Sequence, residues 1–418
     1  MSSSECLLDT SVTWKDVENE IQKALNTKGK FGEKRKVTSA GDMKGFLSRI
    51  ALIETDWIGA EENIPLPDKI VVKISTTLAL EDLSKITGSQ NNESEKKEET
   101  EEEREKTERN VRNFHNLEVK MYDVITREAN PNMRTVKMYA SKPYSDDNLS
   151  KGFLVFDYIP NVHSVVMYEN IPYEQFVPVI DAIAAFSAMG ERMSDEEKKA
   201  TFGTRHIEYN IGNYFPDKTS EKMRQELMEA LGDSFKEKID SAMEIINAIC
   251  GTPEMLKKYT TVSEFLGHKP VLMHSDLWSS NMIFTKDSQN KLAFKALIDF
   301  QTASFSTPGL DVTAVGVSCL SSEDRNKYQE TILNRYYEKF ILNLKGSPPP
   351  YTLEQLHDSY ELCFPAAVIL NLPFVWSYAK YVGGSTLETA RLKIIGIIED
   401  LLVMQQSNKK KFPEFFKV

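Results

Sequence analysis

The spacing of hydrophobic residues changes along the chain, and each change predicts a different kind of secondary structure. After Thr13, apolar residues recur at the intervals of a helix, at Trp14, Val17, Ile21 and Leu25, which predicts a first helix there. From residue 33 to residue 75 the period falls to two, which predicts antiparallel strands at Lys36–Ser39, Phe46–Ile50 and Ile70–Ile74. The pattern then predicts an amphipathic helix, whose apolar stripe holds Val111, Phe114, Met121 and Ile125.

Two further strands are predicted at Thr135–Ala140 and Phe153–Tyr158, and the second leads into a connection between lobes at Asp157–Pro160. The rest of the chain is mainly helical, with loops and short strands between residues 251 and 303. Pro365 and Pro373 should break or kink one late helix. The pattern therefore predicts an α+β fold: a small lobe at 1–157 with an antiparallel sheet and a helix, and a large helical lobe at 158–418.

Composition limits the class of protein. At 418 residues the chain is too long for one compact core, and its 41% apolar and 27% charged residues are typical of globular proteins. A formal net charge of −11 argues against a general nucleic-acid binder. We expect no secretory signal and no membrane span, because no run approaches 18 apolar residues. The four cysteines are too scattered for a disulfide framework or a metal site, which favours a reducing, cytoplasmic location.

The most informative stretch is VLMHSDLWSSNMIF, residues 271–284, in which polar residues stand between two apolar triplets. His274, Asp276 and Asn281 have the H-x-D-L-x-x-x-N spacing of a kinase catalytic loop. In that loop the Asp accepts a proton from the acceptor hydroxyl, and the Asn binds magnesium. Asp299 follows the next predicted strand, where a second magnesium ligand belongs, and Mg²⁺ prefers such oxygen ligands. Each Asp taken alone could merely cap a turn or end a strand.

A cation for the nucleotide phosphates is predicted at Lys73. By strand alternation Lys73 shares one face with Val71, and Glu118 lies on the apolar stripe of the following helix. Each of these two charged side chains would be unfavourable among its apolar neighbours without a partner, so we predict that they form an ion pair like that of active kinases. Gly41, Gly45 and Ser48 are candidates for a loop over the phosphates, although a simple hairpin turn would also explain them.

The motifs VLMHSDLWSSNMIF and ALIDFQTASFSTPGLDV resemble the CHK kinase-like, or ecdysteroid-kinase-like, proteins, which are relatives of choline kinases and aminoglycoside phosphotransferases. The chain looks most similar to a group expanded in nematodes. The resemblance implies a bilobal protein-kinase-like fold and ATP- and Mg²⁺-dependent phosphorylation of a hydroxyl on a small molecule. It makes Asp276 the catalytic base, Asn281 and Asp299 the metal ligands, and Lys73 with Glu118 the phosphate-binding pair. It also makes Asp311 a brace for the catalytic loop. Asp157 and Ile159, in the connection between the lobes, are further predicted nucleotide contacts.

Three departures argue against a protein kinase. Ser275 replaces the Arg before the catalytic Asp, Gln301 stands where a DFG motif has Gly, and no A-P-E follows. Two alternative functions stay open: an inactive nucleotide-binding scaffold, and a lipid- or sterol-binding module without chemistry. Trp278, Phe374, Trp376 and Tyr378 could line a pocket for a steroid, a glycoside or a quaternary ammonium, or could be core residues. The oligomeric state is not indicated by the sequence.

A charged insert at about 88–109 is predicted to be a solvated loop that runs into the exposed start of a helix. Its stretch 93–107 has no apolar residue to bury, so burial cannot offset the entropy lost on ordering it. We expect deletion of 93–107 to leave folding and ATP turnover largely intact. Thermal unfolding and turnover of the deletion variant test this, and a collapse of either would mean that the stretch docks on the protein.

Overall fold

The computed structural model describes residues 5–40, 47–78, 100–201 and 217–417, without the side chains of 217–219. The chain divides into two compact units. The first unit comprises Met1–Ala129 and Val136–Pro160, and the second comprises Asn130–Thr135 and Asn161–Val418. The short segment 130–135 thus groups with the second unit, although the chain on both sides of it belongs to the first.

The first unit is built on an antiparallel sheet. Its strands are β1 Lys30–Phe31, β2 Lys36–Ser39, β3 Ser48–Glu54, β4 Trp57–Ile58, β5 Lys69–Ser75, β6 Met138–Lys142 and β7 Phe153–Asp157. Five of them form one sheet in the order β2-β3-β5-β7-β6, while β1 and β4 pair separately. Strand β5 is central, with β3 and β7 hydrogen-bonded on either side of it. Its alternate residues therefore face opposite sides of the sheet.

Each face of this sheet has its own helix. Val72 and Ile74 of β5 belong to the same apolar cluster as Val17 and Ile21 of helix α1, Trp14–Leu25. The opposite face contacts helix α2, Glu101–Glu128, through polar side chains of β5. The predicted alternation along β5 is confirmed, because Ile70, Val72 and Ile74 pack on the α1 side and Lys73 lies on the α2 side.

Helix α2 begins inside the charged insert. Thr100 is its N-cap, and Thr100 and Glu103 form a reciprocal capping box. Residues 101–106 are exposed, which confirms the predicted exposed helix start, while 88–99 lie outside the described residues. Deleting 93–107 would remove this cap, so a cost of about 1 kcal/mol in helix stability is expected in place of no cost.

The second unit combines short antiparallel strands with many helices. The strands are β8 Val162–His163, β9 Val271–Met273, β10 Met282–Lys286, β11 Leu292–Leu297 and β12 Ser304–Ser306. The α-helices are α3 Tyr173–Met189, α4 Asp195–Lys199, α5 Asp217–Leu231, α6 Lys236–Cys250, α7 Pro253–Thr260, α8 Val262–Phe265, α9 Pro308–Cys319, α10 Ser322–Asn343, α11 Leu353–Val382 and α12 Thr386–Lys411. Single 3-10 turns lie at Pro131–Met133, Gly190–Arg192, Asp233–Phe235, Ser279–Asn281 and Pro413–Phe416. The α+β class is confirmed, with a small sheet unit first and a large helical unit after it.

Helix α9 is buried along its whole length and packs against α11, which in turn packs against α12. Close approach of α9 to α11 depends on Gly309, because a Cβ there would lie 2.3 Å from the carbonyl carbon of Ser359. By length and composition α11 could cross a membrane, but 72% of its most apolar window is buried in the protein, as in a core helix.

The two prolines were expected to break or kink this helix, and a break is wrong, because α11 continues through Pro365 and Pro373. A kink stays a prediction. A proline has no N–H, so Pro365 leaves the carbonyl of Glu361 without its usual helical donor. The side chain of Asn408, on α12, supplies that donor with a 2.7 Å bond from Nδ2 to the Glu361 carbonyl. Packing against α12 thus compensates for the lost backbone bond.

This compensation predicts a coupling between Pro365 and Asn408. In the wild-type background, Asn408→Leu should destabilise the fold by about 1–3 kcal/mol, because the part-buried Glu361 carbonyl is left without a donor. In a Pro365→Ala background the backbone N–H of the new alanine can take over, so the same change should cost about 1 kcal/mol less. Urea unfolding of the four proteins measures the difference, and equal costs in both backgrounds would contradict this account.

Candidate active site

The loop 274–281 joins β9 to β10 and presents polar groups beside the core. His274 is fully buried, and its Nε2 lies 2.8 Å from the carbonyl of Ile298, to which it must donate. Ser275 has a left-handed backbone with φ of 70°, which is strained for a residue with a Cβ. Such strain collects at functional sites, where surrounding bonds hold it in place. This turn ends the run of buried residues at 271–275, and the next side chain, that of Asp276, is half-buried.

A buried carboxylate holds this strained turn. Asp311, in the first turn of α9, accepts the N–H of His274 at 2.7 Å and the N–H of Ser275 at 2.9 Å. Burial raises the pKa of Asp311 to about 7, the charge of Asp276 adds to the rise, and the two N–H bonds oppose it. The N-terminal turn of a helix also favours a negative charge. Asp311 therefore braces the loop, as the resemblance implied.

Asn281 and Asp276 are joined directly across the loop. Nδ2 of Asn281 donates to the carbonyl of Asp276 at 2.8 Å and to its Oδ2 at 3.0 Å. Both amide hydrogens are used in this way, so the Oδ1 atom of Asn281 is turned to the opposite side of the amide group. The five-residue spacing between the two side chains is thus closed into one hydrogen-bonded unit.

Asp299 follows β11 and lies beside the same loop. Ile298 donates its N–H to the carbonyl of Asn281 at 3.1 Å, which ties the backbones of the two candidate metal ligands together. Asp299 is half-buried and has a left-handed backbone with φ of 69°, a conformation that Asp tolerates better than most residues. The structure thus brings Asp276, Asn281 and Asp299 to one place in the second unit.

These residues fit a magnesium ion that is completed by its nucleotide. Mg²⁺ takes oxygen ligands, commonly one or two protein carboxylates with phosphates and waters. The Oδ1 of Asn281 and the carboxylate of Asp299 are oxygen donors of this kind. Within the described ranges no group of three His, Cys, Asp or Glu residues could hold a metal alone. An amide oxygen and a carboxylate suit a metal that takes its remaining ligands from phosphate and water.

The first unit contains the predicted ion pair. Lys73 Nζ and Glu118 Oε2 are 2.7 Å apart, and both side chains are at least nine-tenths buried. Lys73 is paired in the sheet with Ile50 on β3 and Leu154 on β7, so its backbone position is fixed on both sides. A buried charge pair with this geometry ties β5 to α2.

One residue of this region was missed by the sequence reasoning. His115 lies one helical turn before Glu118, and its Nδ1 is 2.8 Å from the hydroxyl of Ser75, two residues after Lys73. Its Nε2 donates to the carbonyl of Lys142 at 2.9 Å, so Nδ1 accepts from Ser75. Burial lowers the pKa of His115 to about 4. The signal was present in the sequence, since His115 follows Val111 by four residues on the same helical stripe.

Three of the other five predicted nucleotide residues lie in the described part of the chain. Ser48 is the first residue of β3, opposite Ser75, and Asp157 ends β7 with its Oδ1 3.0 Å from the Tyr139 hydroxyl. Ile159 is half-buried just after this strand. Gly41 and Gly45 lie outside the described residues. Their assignments stay predictions.

The four candidate aromatic residues divide into different environments. Trp376 is 3% exposed and is a core residue, whereas Phe374 on the same helix is 38% exposed. Trp278 and Tyr378 are half-buried, and their ring centroids lie 6.2 Å apart. Trp278 stands two residues after Asp276, so this pair is the part of the aromatic set that is linked to the loop 274–281.

A small antiparallel sheet unit with a Lys–Glu pair, followed by a large helical unit with a braced H-x-D-x-x-x-x-N loop, defines an α+β protein of the protein-kinase-like class. The family comparison is equally direct. Residues 1–409 match the DUF1679 family, whose description reads "Uncharacterized oxidoreductase dhs-27". The chain belongs to this family. Among curated proteins no match was found.

Solved structures are similar only at a distance. A choline kinase from Cryptosporidium parvum Iowa II is 13% identical with a TM-score of 0.43, over 91% of this chain and 92% of that one. A GDP-bound mutant of aminoglycoside 2'-phosphotransferase-IIIa is 13% identical with a TM-score of 0.40, over 95% and 98%. A Plasmodium vivax ethanolamine kinase is 11% identical with a TM-score of 0.38, over 90% and 83%. At such distances, function must rest on the residues of this chain.

The buried pair predicts that stability and nucleotide use can be separated. Lys73→Met should destabilise the fold by about 3–5 kcal/mol, because it leaves Glu118 buried without its cation. Lys73→Met with Glu118→Leu should regain much of that stability, since no charge is then buried. Neither variant should bind Mg-ATP like the wild type. Urea unfolding and calorimetric titration measure the two effects, and wild-type nucleotide affinity in the double variant would refute a phosphate-binding role for Lys73.

Proposed function

We propose that the protein is a small-molecule kinase that transfers the γ-phosphoryl group of ATP to a hydroxyl group, with Mg²⁺ as the metal. The observation that carries this proposal is the geometry of the loop 274–281, where the candidate base and a candidate metal ligand are hydrogen-bonded to each other and Asp311 braces the turn before them. Asp311 holds the backbone of the strained turn, and Asn281 is bonded to Asp276. A turn-capping Asp would need none of this arrangement.

The proposed chemistry is a direct transfer. The acceptor hydroxyl loses its proton to the carboxylate of Asp276, and its oxygen forms a bond to the γ-phosphorus. The bond from that phosphorus to the β–γ bridging oxygen breaks, and ADP leaves with the electron pair. Asn281 and Asp299 would hold the magnesium ion, which neutralises charge on the phosphate oxygens when bound. Lys73, kept in place by Glu118, would contact the phosphates as a point charge.

The word oxidoreductase in the family description has no counterpart in the chain. A dinucleotide site of the usual kind needs a G-x-G-x-x-G turn at the end of a parallel strand. No two glycines in the sequence stand two positions apart, and every named strand pair in the described residues is antiparallel. The residues of the chain therefore favour phosphoryl transfer.

The two remaining alternatives differ in what they require of the protein. An inactive nucleotide-binding scaffold would not need Asp276, yet Lys73, Asp276, Asn281 and Asp299 are all present. A lipid- or sterol-binding module would not need ATP or magnesium. A rise in melting temperature with Mg-ATP would argue against the lipid-binding module, because a ligand that binds only the folded state stabilises it.

The acceptor that we propose is a small molecule with an apolar body and one reactive hydroxyl, such as a steroid-like or glycoside-like compound. The support is the contact of Tyr378 with Trp278, which stands two residues after Asp276 in the chain. A cytoplasmic location is proposed because the four cysteines are free thiols, two of them buried.

Two chemically identical substitutions should separate the base from the metal ligand. Asp276→Asn cannot accept the proton, so turnover should fall by about 10²–10⁴ while Mg-ATP still binds. Asp299→Asn replaces a charged ligand by a neutral one, so it should weaken magnesium-dependent nucleotide binding as well as turnover. Calorimetric titration of Mg-ATP and steady-state rates compare the two variants. Near-wild-type turnover by Asp276→Asn would leave that residue as a structural part of the loop.

A further inference from the structure

Side chains of helix α9 accept hydrogen bonds from the catalytic loop at two places, and only the first place, at Asp311, was expected from the sequence. Asp311 holds the beginning of the loop at His274 and Ser275. Seven residues later on the same helix, Ser318 accepts the N–H of Ser279 on its Oγ at 3.0 Å. Seven residues are about two helical turns, so the two side chains project from one face of α9.

The second contact, between Ser318 and Ser279, holds the short turn that contains Asn281. Ser279 begins the 3-10 turn Ser279–Asn281, and Asn281 donates its own N–H to the carbonyl of Trp278 at 3.0 Å. Ser279 and Ser318 are both almost completely buried, so no water can replace the bond between them. A buried N–H without an acceptor would cost as much as a lost hydrogen bond, and the turn would shift to avoid it.

The C-terminal end of α9, which carries Ser318, is bonded to a side chain of helix α12. Lys393, on α12, is buried and donates from Nζ to the carbonyl of Ser318 and to the carbonyl of Glu169, the latter at 2.7 Å. A lysine at the C-terminal end of a helix satisfies a carbonyl that has no helical partner, and it also complements the helix dipole. Burial lowers the pKa of Lys393 to about 7.

We propose that Ser318 is a positioning residue that sets the place of the metal ligand Asn281, and that Lys393 fixes the helix end on which Ser318 stands. This inference rests on the proposed function, because it assigns the purpose of the Ser318–Ser279 bond to metal binding. Ser318 acts only through Ser279 and touches neither the metal nor the substrate. A serine hydroxyl near the end of a helix often bonds back to its own helix, whereas this one accepts from the loop.

The test is the magnesium dependence of ATP binding in Ser318→Ala. Loss of a group that orients a metal ligand typically lowers metal affinity by about 10- to 100-fold, so the Mg²⁺ concentration for half-maximal ATP binding should rise by at least about tenfold. ATP binding measured without divalent metal should change little. Hydrogen exchange at the amide of Ser279, followed by mass spectrometry of the peptide that contains it, should become faster.

Two further variants separate positioning from loss of stability. Ser318→Thr keeps a hydroxyl at the same position and should restore most of the magnesium affinity. Ser359→Ala is the same chemical change at a buried serine of α11, whose Oγ donates within its own helix to the carbonyl of Leu356 at 2.9 Å. It should leave the magnesium dependence unchanged, even if it lowers the melting temperature as much as Ser318→Ala does.

Lys393→Met tests the outer part of the proposal. It removes the amino group that donates to the Ser318 carbonyl and leaves Ser318 itself intact, so the magnesium requirement should rise in the same direction as in Ser318→Ala. If Ser318→Ala keeps the wild-type magnesium requirement while wild-type protein binds Mg-ATP, the positioning role is overturned and the proposed function stands. If wild-type protein shows no magnesium-dependent ATP binding, the proposed function fails, and the positioning role fails with it.

Discussion

The second unit depends on one costly interaction, the burial of the Asp311 carboxylate beneath the turn at His274 and Ser275. Burial alone would drive this group towards its neutral form, as the rise of its pKa to about 7 reflects. Two backbone N–H groups oppose that tendency and are themselves satisfied in the process. The strained turn at Ser275 can persist because the carboxylate accepts the N–H of Ser275 and that of the residue before it.

The packing of α9 against α11, and of α11 against α12, supports the helix that carries this carboxylate to the loop. Helix α9 can approach α11 because Gly309 has no side chain at the point of contact. Helix α11 in turn continues through Pro365, because Asn408 of α12 satisfies the carbonyl that the proline leaves open. The same helix α12 carries Lys393 to the far end of α9. Three helices thus support a loop of eight residues, which is typical of sites that need fixed geometry.

In the first unit the corresponding constraint is the burial of two opposite charges. Lys73 and Glu118 are each too polar for their surroundings, and the pair is tolerated because the partners are 2.7 Å apart. Ser75 and His115 form a second contact between the same two elements, a hydrogen bond that lies two residues along the strand and one turn back along the helix. The two contacts together fix the rotation of α2 against β5. Such a pair gives little net stability, and this agrees with the role in binding phosphate that we propose for Lys73.

The sequence by itself determined the features that depend on local spacing. Strand alternation placed the side chain of Lys73 on the opposite face of the sheet from that of Val72. Helical spacing put Glu118 on the buried stripe, and the motif at 274–281 marked the loop. These patterns are short-range, so they survive without knowledge of the fold. The α+β class followed from their order along the chain.

Only the tertiary structure decided which distant groups meet. Nothing in the local pattern pairs Ser318 with Ser279, Asn408 with Glu361, or Lys393 with the end of α9, because each contact joins elements far apart in sequence. Pro365 shows the consequence, since its local preference to end a helix is overridden by a side chain 43 residues later. The grouping of residues 130–135 with the second unit had no local signal either. Hydrogen bonds across packed helices are long-range contacts, and a pattern with a period of two or 3.6 residues carries no information about them.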